Sequence, residues 1–427
     1  MPFSWINRDG RLIITSRSLR LLGQGPIMVL LVIYLDLVGF TLFQTGILVA
    51  AGLLGSAFYT VLTIFLGDVI GRRRLLTLFT FLRCLTGIAL ALFSDPYLLI
   101  CISFATGFSG VPGGGGALQP LGQATLAETA PPERRNELYA IYNIMATSGS
   151  ALGALASGLP VILQNSLGLS ILDSYKFMMI WYALFSLIAT ILNIFLSNAI
   201  EVPEEKRHWV NPLKLPSRRK IFTFAGLFAI DHGANSLVIQ GLVAFWFFTK
   251  FQLDIQSLAL IFFASSLGAA SSFWVGAKLA NRIGLVNTMV FTRLPAGILL
   301  ISLPFIPHAW IAIAIWLAYT LTKRMAMPMR QSYTMAIVEP QERVPMATLN
   351  SLTGNSVMVA GPPIATLLWS IAASVPFVIA GCMQIVGDLL LYITFRRVKS
   401  PEEILGSGQV VQTISATSDI QDKSNKT

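Results

Sequence analysis

Candidate ionisable side chains at depth inside long apolar stretches of this sequence are Arg83, Asp231, His232, Arg293, Lys323, Arg324 and Arg330. A charge in such a place costs about 2.5–3.5 kcal/mol on membrane-insertion scales, so it normally faces a partner or water. An aspartate or histidine held there can carry a proton. Asp231 and His232 are adjacent, with Asn235 close behind. Neighbours on a helix point about 100° apart, so Asp231 and His232 cannot face one point. Lys323 and Arg330 are seven residues apart and share one helix face, while Arg324 and Gln331 share the next. Gln123 lies 208 residues before Gln331 and joins the same polar set. Two readings of these cations stand side by side. They hold an anionic or carboxylate-bearing substrate, or they pair with Asp231 and with carbonyls freed by Pro328. No spacing of His, Cys, Asp or Glu fits a metal site, and the three cysteines, Cys84, Cys101 and Cys382, lie in apolar runs. No cofactor is expected.

These residues need elements to position them. The chain has 427 residues, 54% hydrophobic and 12% charged, with a mean hydropathy of +0.69. An average soluble domain is about 25% charged. The composition therefore excludes a disordered chain, a disulfide scaffold and a soluble globular enzyme, and leaves a polytopic membrane protein. Apolar runs of spanning length fall at 15–39, 43–67, 75–94, 97–126, 137–163, 175–198, 221–249, 255–279, 286–306, 309–337, 346–371 and 373–396. Twelve helices of about 20 residues leave too little chain for a large extramembrane domain. The organisation expected is an N-terminal tail over 1–14, a six-helix half over 15–198, a basic linker over 199–220, a second half over 221–396, and a disordered tail over 397–427.

Arg72-Arg73-Arg74, Arg134-Arg135, the linker, Lys278 with Arg282, Arg343 and Arg396-Arg397 occupy alternate connections. Cations collect on the cytoplasmic side, which places both termini there and assigns the net charge of +10 to loops rather than to nucleic-acid binding. No secretory cleavage pattern follows the N-terminal arginines.

The halves repeat one another. Leu54, Gly55, Leu66 and Gly71 match Leu267, Gly268, Leu279 and Gly284 at an offset of 213. Phe81, Arg83 and Gly87 match Phe291, Arg293 and Gly297 at 210, and Pro120, Gln123 and Arg135 match Pro328, Gln331 and Arg343 at 208. An ordered set at a nearly constant offset is a six-helix unit used twice in one orientation. The repetition of Arg83 and Arg293 points to a structural or gating place.

Leu66-Gly67-Asp68-Val69-Ile70-Gly71-Arg72-Arg73 resembles the loop signature Gly-x-Leu-Ala-Asp-Arg-x-Gly-Arg-Arg of the major facilitator superfamily. Ile64 and Val69 depart from it. The connection Ala127 to Arg135 also resembles that family's. The resemblance implies an all-α fold of twelve transmembrane helices in two parallel six-helix repeats around a central cavity. It implies transport of a small solute by alternating access, with spans 1, 4, 7 and 10 lining the cavity. It assigns Asp68, Gly71, Arg72 and Arg73, with Arg135 and Arg343, to a cytoplasmic gate; the other reading of the loop arginines is that they only anchor the topology. The run Gly149 to Gly158 partly resembles an antiporter signature, with Ala154 where proline is expected; close helix packing through small residues is the other reading. Expected partners are a small-molecule substrate, protons and the plasma membrane bilayer, with the chain acting as a monomer. Proton-coupled export of an organic or anionic compound leads; an uncoupled facilitator or uptake carrier and a membrane-embedded sensor or enzyme are the alternatives.

Overall fold

A computed structural model describes residues 6–110, 118–127, 129, 135–197, 200, 218–327, 329–330 and 343–395. Among the described residues the regular elements are helical, and they group into twelve passages. The first half contains α1 (Arg8–Leu37), α2 (Leu42–Ile70), α3 (Arg72–Leu92), α4 (Pro96–Thr106) with α5 (Leu118–Ala127), α6 (Arg135–Ala156) with α7 (Leu159–Leu167), and α8 (Ile171–Ile194). The second contains α9 (Arg218–Leu237) with α10 (Gln240–Phe251), α11 (Ile255–Ile283), α12 (Leu285–Ser302), α13 (Ala309–Met325), α14 (Arg343–Ile371) and α15 (Val375–Phe395). Eight of the described helical stretches are long and apolar enough to cross a membrane. The glycine run 111–117, the linker over 201–217 and the tail from 396 onward lie outside the described residues.

Four boundaries differ from the sequence expectation. Residues 8–14 are not a separate tail: Asn7 caps α1 by accepting from the Gly10 amide at 2.8 Å, so the helix starts there. The fourth span breaks after Thr106, where Gly107 takes a left-handed φ of 65° and its amide returns to the Phe104 carbonyl. The fifth span breaks at Ser157-Gly158 and restarts with Pro160 in the first turn of α7, where no amide is missed. The seventh breaks before Gln240 because Ile239 is extended, with ψ near 148°. Hydropathy sees apolar content and is blind to these interruptions.

Gly71 and Gly284 precede α3 and α12 at φ of 96° and 86°. A side chain there would be strained, which accounts for glycine at both repeats of this turn.

Apolar packing differs between the two ends. At the end away from the termini, one cluster joins both halves: Ile27 to Leu35 of α1, Leu48 and Leu53 of α2, Val243 to Phe247 of α10, and Leu258 with Phe262 of α11. At the terminal end the described residues form two clusters, one in each half. Ile13, Leu75, Leu121 and Leu138 pack within the first half, and Phe224, Val290, Met329 and Phe395 within the second. Small residues make the cross-half contacts close. A Cβ on Gly46 of α2 would lie 2.9 Å from the Pro362 carbonyl of α14, and one on Gly241 of α10 would lie 2.9 Å from Val32 of α1.

Within the small-residue run 149–158, the stretch from Gly149 to Ala154 packs α6 against α1. Gly149 lies against the Ser18 carbonyl and Gly153 against Leu22, and a Cβ on Gly25 would sit 2.6 Å from the Ala154 amide nitrogen. Gly25→Val should cost about 1–3 kcal/mol by overpacking and lower the apparent Tm by several degrees. Gly226→Ala, where a Cβ meets open space, should not lower it. Equal melting curves for Gly25→Val and the parent protein in detergent would refute the seam.

Candidate functional site

Four charged side chains from four passages form one chain of ion pairs. Asp388 on α15 accepts from Arg293 Nε on α12, at 3.0 Å to Oδ1 and 3.2 Å to Oδ2. Arg293 Nη2 pairs with Oδ1 of Asp231 on α9, and Oδ2 of Asp231 pairs with Nη1 of Arg330, beyond the end of α13. Two carboxylates alternate with two guanidiniums, so the ladder is neutral in sum. Each buried charge is answered within hydrogen-bond distance, which is the condition for tolerating it away from water.

The sequence places this ladder by helical spacing. Phe228 is three residues before Asp231 and so shares its face. Its ring lies 3.3 Å from the Arg330 guanidinium carbon, a cation–π shelf beneath the outer cation. Gln384, one turn before Asp388, donates from Nε2 to the Arg293 carbonyl at 3.1 Å and ties α15 to α12. Phe228, Met289, Ala326 and Leu391 close the walls of a cavity that the four charges face.

The remaining expected residues are distributed as follows. His232 points elsewhere, as adjacency requires: a Cβ on Gly354 of α14 would lie 2.7 Å from its Nε2. Asn235 and Gln123 are half-buried, on α9 and α5. Lys323 is not brought onto Asp231; its Nζ donates to the Tyr319 hydroxyl one turn earlier, on an aromatic column with Trp316. Arg324 is exposed, with Met327 Sδ 4.0 Å from Nη1. Gln331 lies outside the described residues. Arg83 is buried on α3. At the loop motif, Asp68 belongs to α2, Gly71 caps α3, and Arg72 and Arg73 open it. Arg73 Nη2 donates to the Ile194 carbonyl at 2.7 Å, satisfying the end of α8. Arg135 and Arg343 are the first residues of α6 and α14, equivalent places in the two halves.

Sequence reasoning missed Asp388. It is the sole acid in α15, a 21-residue apolar helix, so the criterion that selected Asp231 also selects it. The pairing partners had no such signal, because they converge from helices distant in the chain.

Two repeated helical halves with a site between them are an architecture that many secondary transporters use. The chain belongs to the Major Facilitator Superfamily, whose sequence pattern matches residues 13–323; it is a transporter and not an enzyme. An uncharacterized membrane protein of Saccharomyces cerevisiae is 24% identical over 437 residues, covering 92% of this chain and 96% of its own. The fold is similar to a D-xylose-proton symporter, with TM-score 0.71, 15% identity, and 91% and 98% of the two chains covered. It is also similar to the nucleoside transporter NupG, with TM-score 0.70, 13% identity, and 91% and 100% covered.

Removing one partner of a buried pair leaves the other uncompensated, at about 3–5 kcal/mol. Asp231→Asn should therefore melt markedly lower. Asp231→Asn with Arg330→Gln should lose less than the sum of the two single changes. Strict additivity of the melting shifts would show that Asp231 and Arg330 do not pair in solution.

Proposed function

We propose that the chain is a proton-coupled secondary transporter of a small organic or anionic solute, in which Asp231 and Asp388 carry the coupling. The carrying observation is the shared use of the ladder: Asp231 binds two guanidiniums and Arg293 binds two carboxylates. Protonating one carboxylate weakens its hold on Arg293 and frees the guanidinium to rebond. Four passages meet at this point, so a proton there repacks the second half.

The uneven apolar packing supports alternating access. The two six-helix halves, the first beginning with α1 and the second with α9, act as rocking units that share an apolar cluster at one end and, among the described residues, pack as separate clusters at the other. With both termini in the cytoplasm, the separated end opens inward. The loop motif of Asp68, Gly71, Arg72 and Arg73, with Arg135 and Arg343, then closes that side in the opposite state. Lys323, Arg324, His232, Asn235, Gln123 and Gln331 supply the polar lining of the path. The plasma membrane is the proposed site of action, with the protein working as a monomer.

The test uses purified protein in liposomes with a solute identified by thermal-shift screening. An imposed pH gradient should drive accumulation. Asp231→Asn and Asp388→Asn should abolish accumulation while solute exchange at equal pH persists within several-fold. Flux indifferent to the gradient in the parent protein would leave an uncoupled facilitator instead.

A further inference from the structure

Arg20 lies on α1 about 18 Å from the start of the helix, and is 7% exposed. Unlike Arg293 and Arg330, it has no ion pair or hydrogen bond to any described residue. Arg17, Arg83, Tyr142 and Tyr182 are near enough to act on its charge. Arg17 is occupied: it lies over the Tyr142 ring and donates to Asn143 Oδ1 at 3.2 Å.

The α8 wall facing Arg20 carries two unpartnered hydroxyls in an otherwise apolar stretch. One turn before Arg20, Ser16 Oγ donates to the Ala189 carbonyl at 3.2 Å. Three residues after it, a Cβ on Gly23 would lie 3.6 Å from the Tyr182 carbonyl. These two contacts fix the register of α1 on the antiparallel α8 and set Arg20 against the stretch between Tyr182 and Ala189. Within that stretch the Tyr182 hydroxyl and Ser186 Oγ are buried with no hydrogen-bond partner. Gln24, one turn beyond Arg20 and 3% exposed, makes no side-chain hydrogen bond to a described residue.

The repeat gives this cluster its meaning. The ladder of the second half takes Asp231, Arg293 and Asp388 from α9, α12 and α15. The corresponding helices are α1, α3 and α8. Arg20 precedes Asp231 by 211 residues and Arg83 precedes Arg293 by 210. Ser186 lies eight residues before the end of α8, and Asp388 lies seven before the end of α15. Where one half carries two carboxylates, the other carries a cation and a hydroxyl.

We infer that Arg20, with the Tyr182 hydroxyl, Ser186 Oγ and the Gln24 amide, forms an oxyanion subsite in the first half, taking the carboxylate or phosphate of the transported solute. The guanidinium fork matches either group, and the hydroxyls supply further donors. The inference rests on the transporter reading and adds a substrate class to it.

Full-length protein in neutral detergent, at constant ionic strength, is titrated with succinate, with inorganic phosphate and with phosphatidic acid, and followed by thermal shift and calorimetry. Succinate or phosphate should stabilise the parent protein saturably. Arg20→Gln should weaken that binding at least tenfold. Tyr182→Phe with Ser186→Ala, which removes only the two hydroxyls, should weaken it several-fold, and Arg74→Gln, at an exposed position, should leave it unchanged. Binding insensitive to both Arg20→Gln and the hydroxyl pair, absence of binding by either small anion, or binding through Arg20 by phosphatidic acid alone would overturn the subsite. These measurements need no transport, so their failure beside intact gradient-driven flux would remove the subsite and leave the carrier reading standing.

Discussion

A guanidinium inside a helical bundle is stable when its charge is returned close by, and much of the second half is arranged to do that for Arg293. Asp231 on α9 takes its Nη2 and Asp388 on α15 its Nε, and Gln384 binds its carbonyl. Arg330 completes the alternation and rests on Phe228. The interaction is strong because water is scarce there, and it is demanding for the same reason. Shifting any one of the four passages breaks a pair, so their positions are tied together. A bundle held this way has few intermediate arrangements, a property suited to a protein that must switch between discrete states.

The two halves share a backbone plan and differ in chemistry. Glycine at positive φ opens both α3 and α12, a buried arginine follows on each of these helices, Arg83 and Arg293, and Arg135 and Arg343 begin equivalent helices. The neutralised ladder, however, exists in the second half alone among the described residues. The repeated framework supplies geometry, and interior positions such as 20 and 231 carry opposite charges within it.

Much of the fold was legible in the sequence. Apolar runs located all twelve passages, and the offset near 210 exposed the repeat, because lipid imposes length and composition on each helix independently of its neighbours. The breaks in the fourth, fifth and seventh passages were not legible. They depend on local backbone turns at Gly107, Ser157-Gly158 and Ile239 that leave hydropathy untouched. The site was legible as a roster of buried charges and illegible as a set of pairs. Helical periodicity grouped Lys323 with Arg330, but the chain turns after Met325, and Arg330 reaches Asp231 while Lys323 stays with Tyr319. Asp388 carried the same signal as Asp231.

The apolar cluster shared by both halves at the end away from the termini has a thermal consequence. In the rocking cycle proposed above, that contact parts and lets water reach Val32, Gly241 and the α2–α14 seam at Gly46. Hydration of such surface raises heat capacity. The barrier to opening that end is thus temperature-dependent in its enthalpy, and the turnover rate should trace a curve rather than a straight line when its logarithm is plotted against reciprocal temperature.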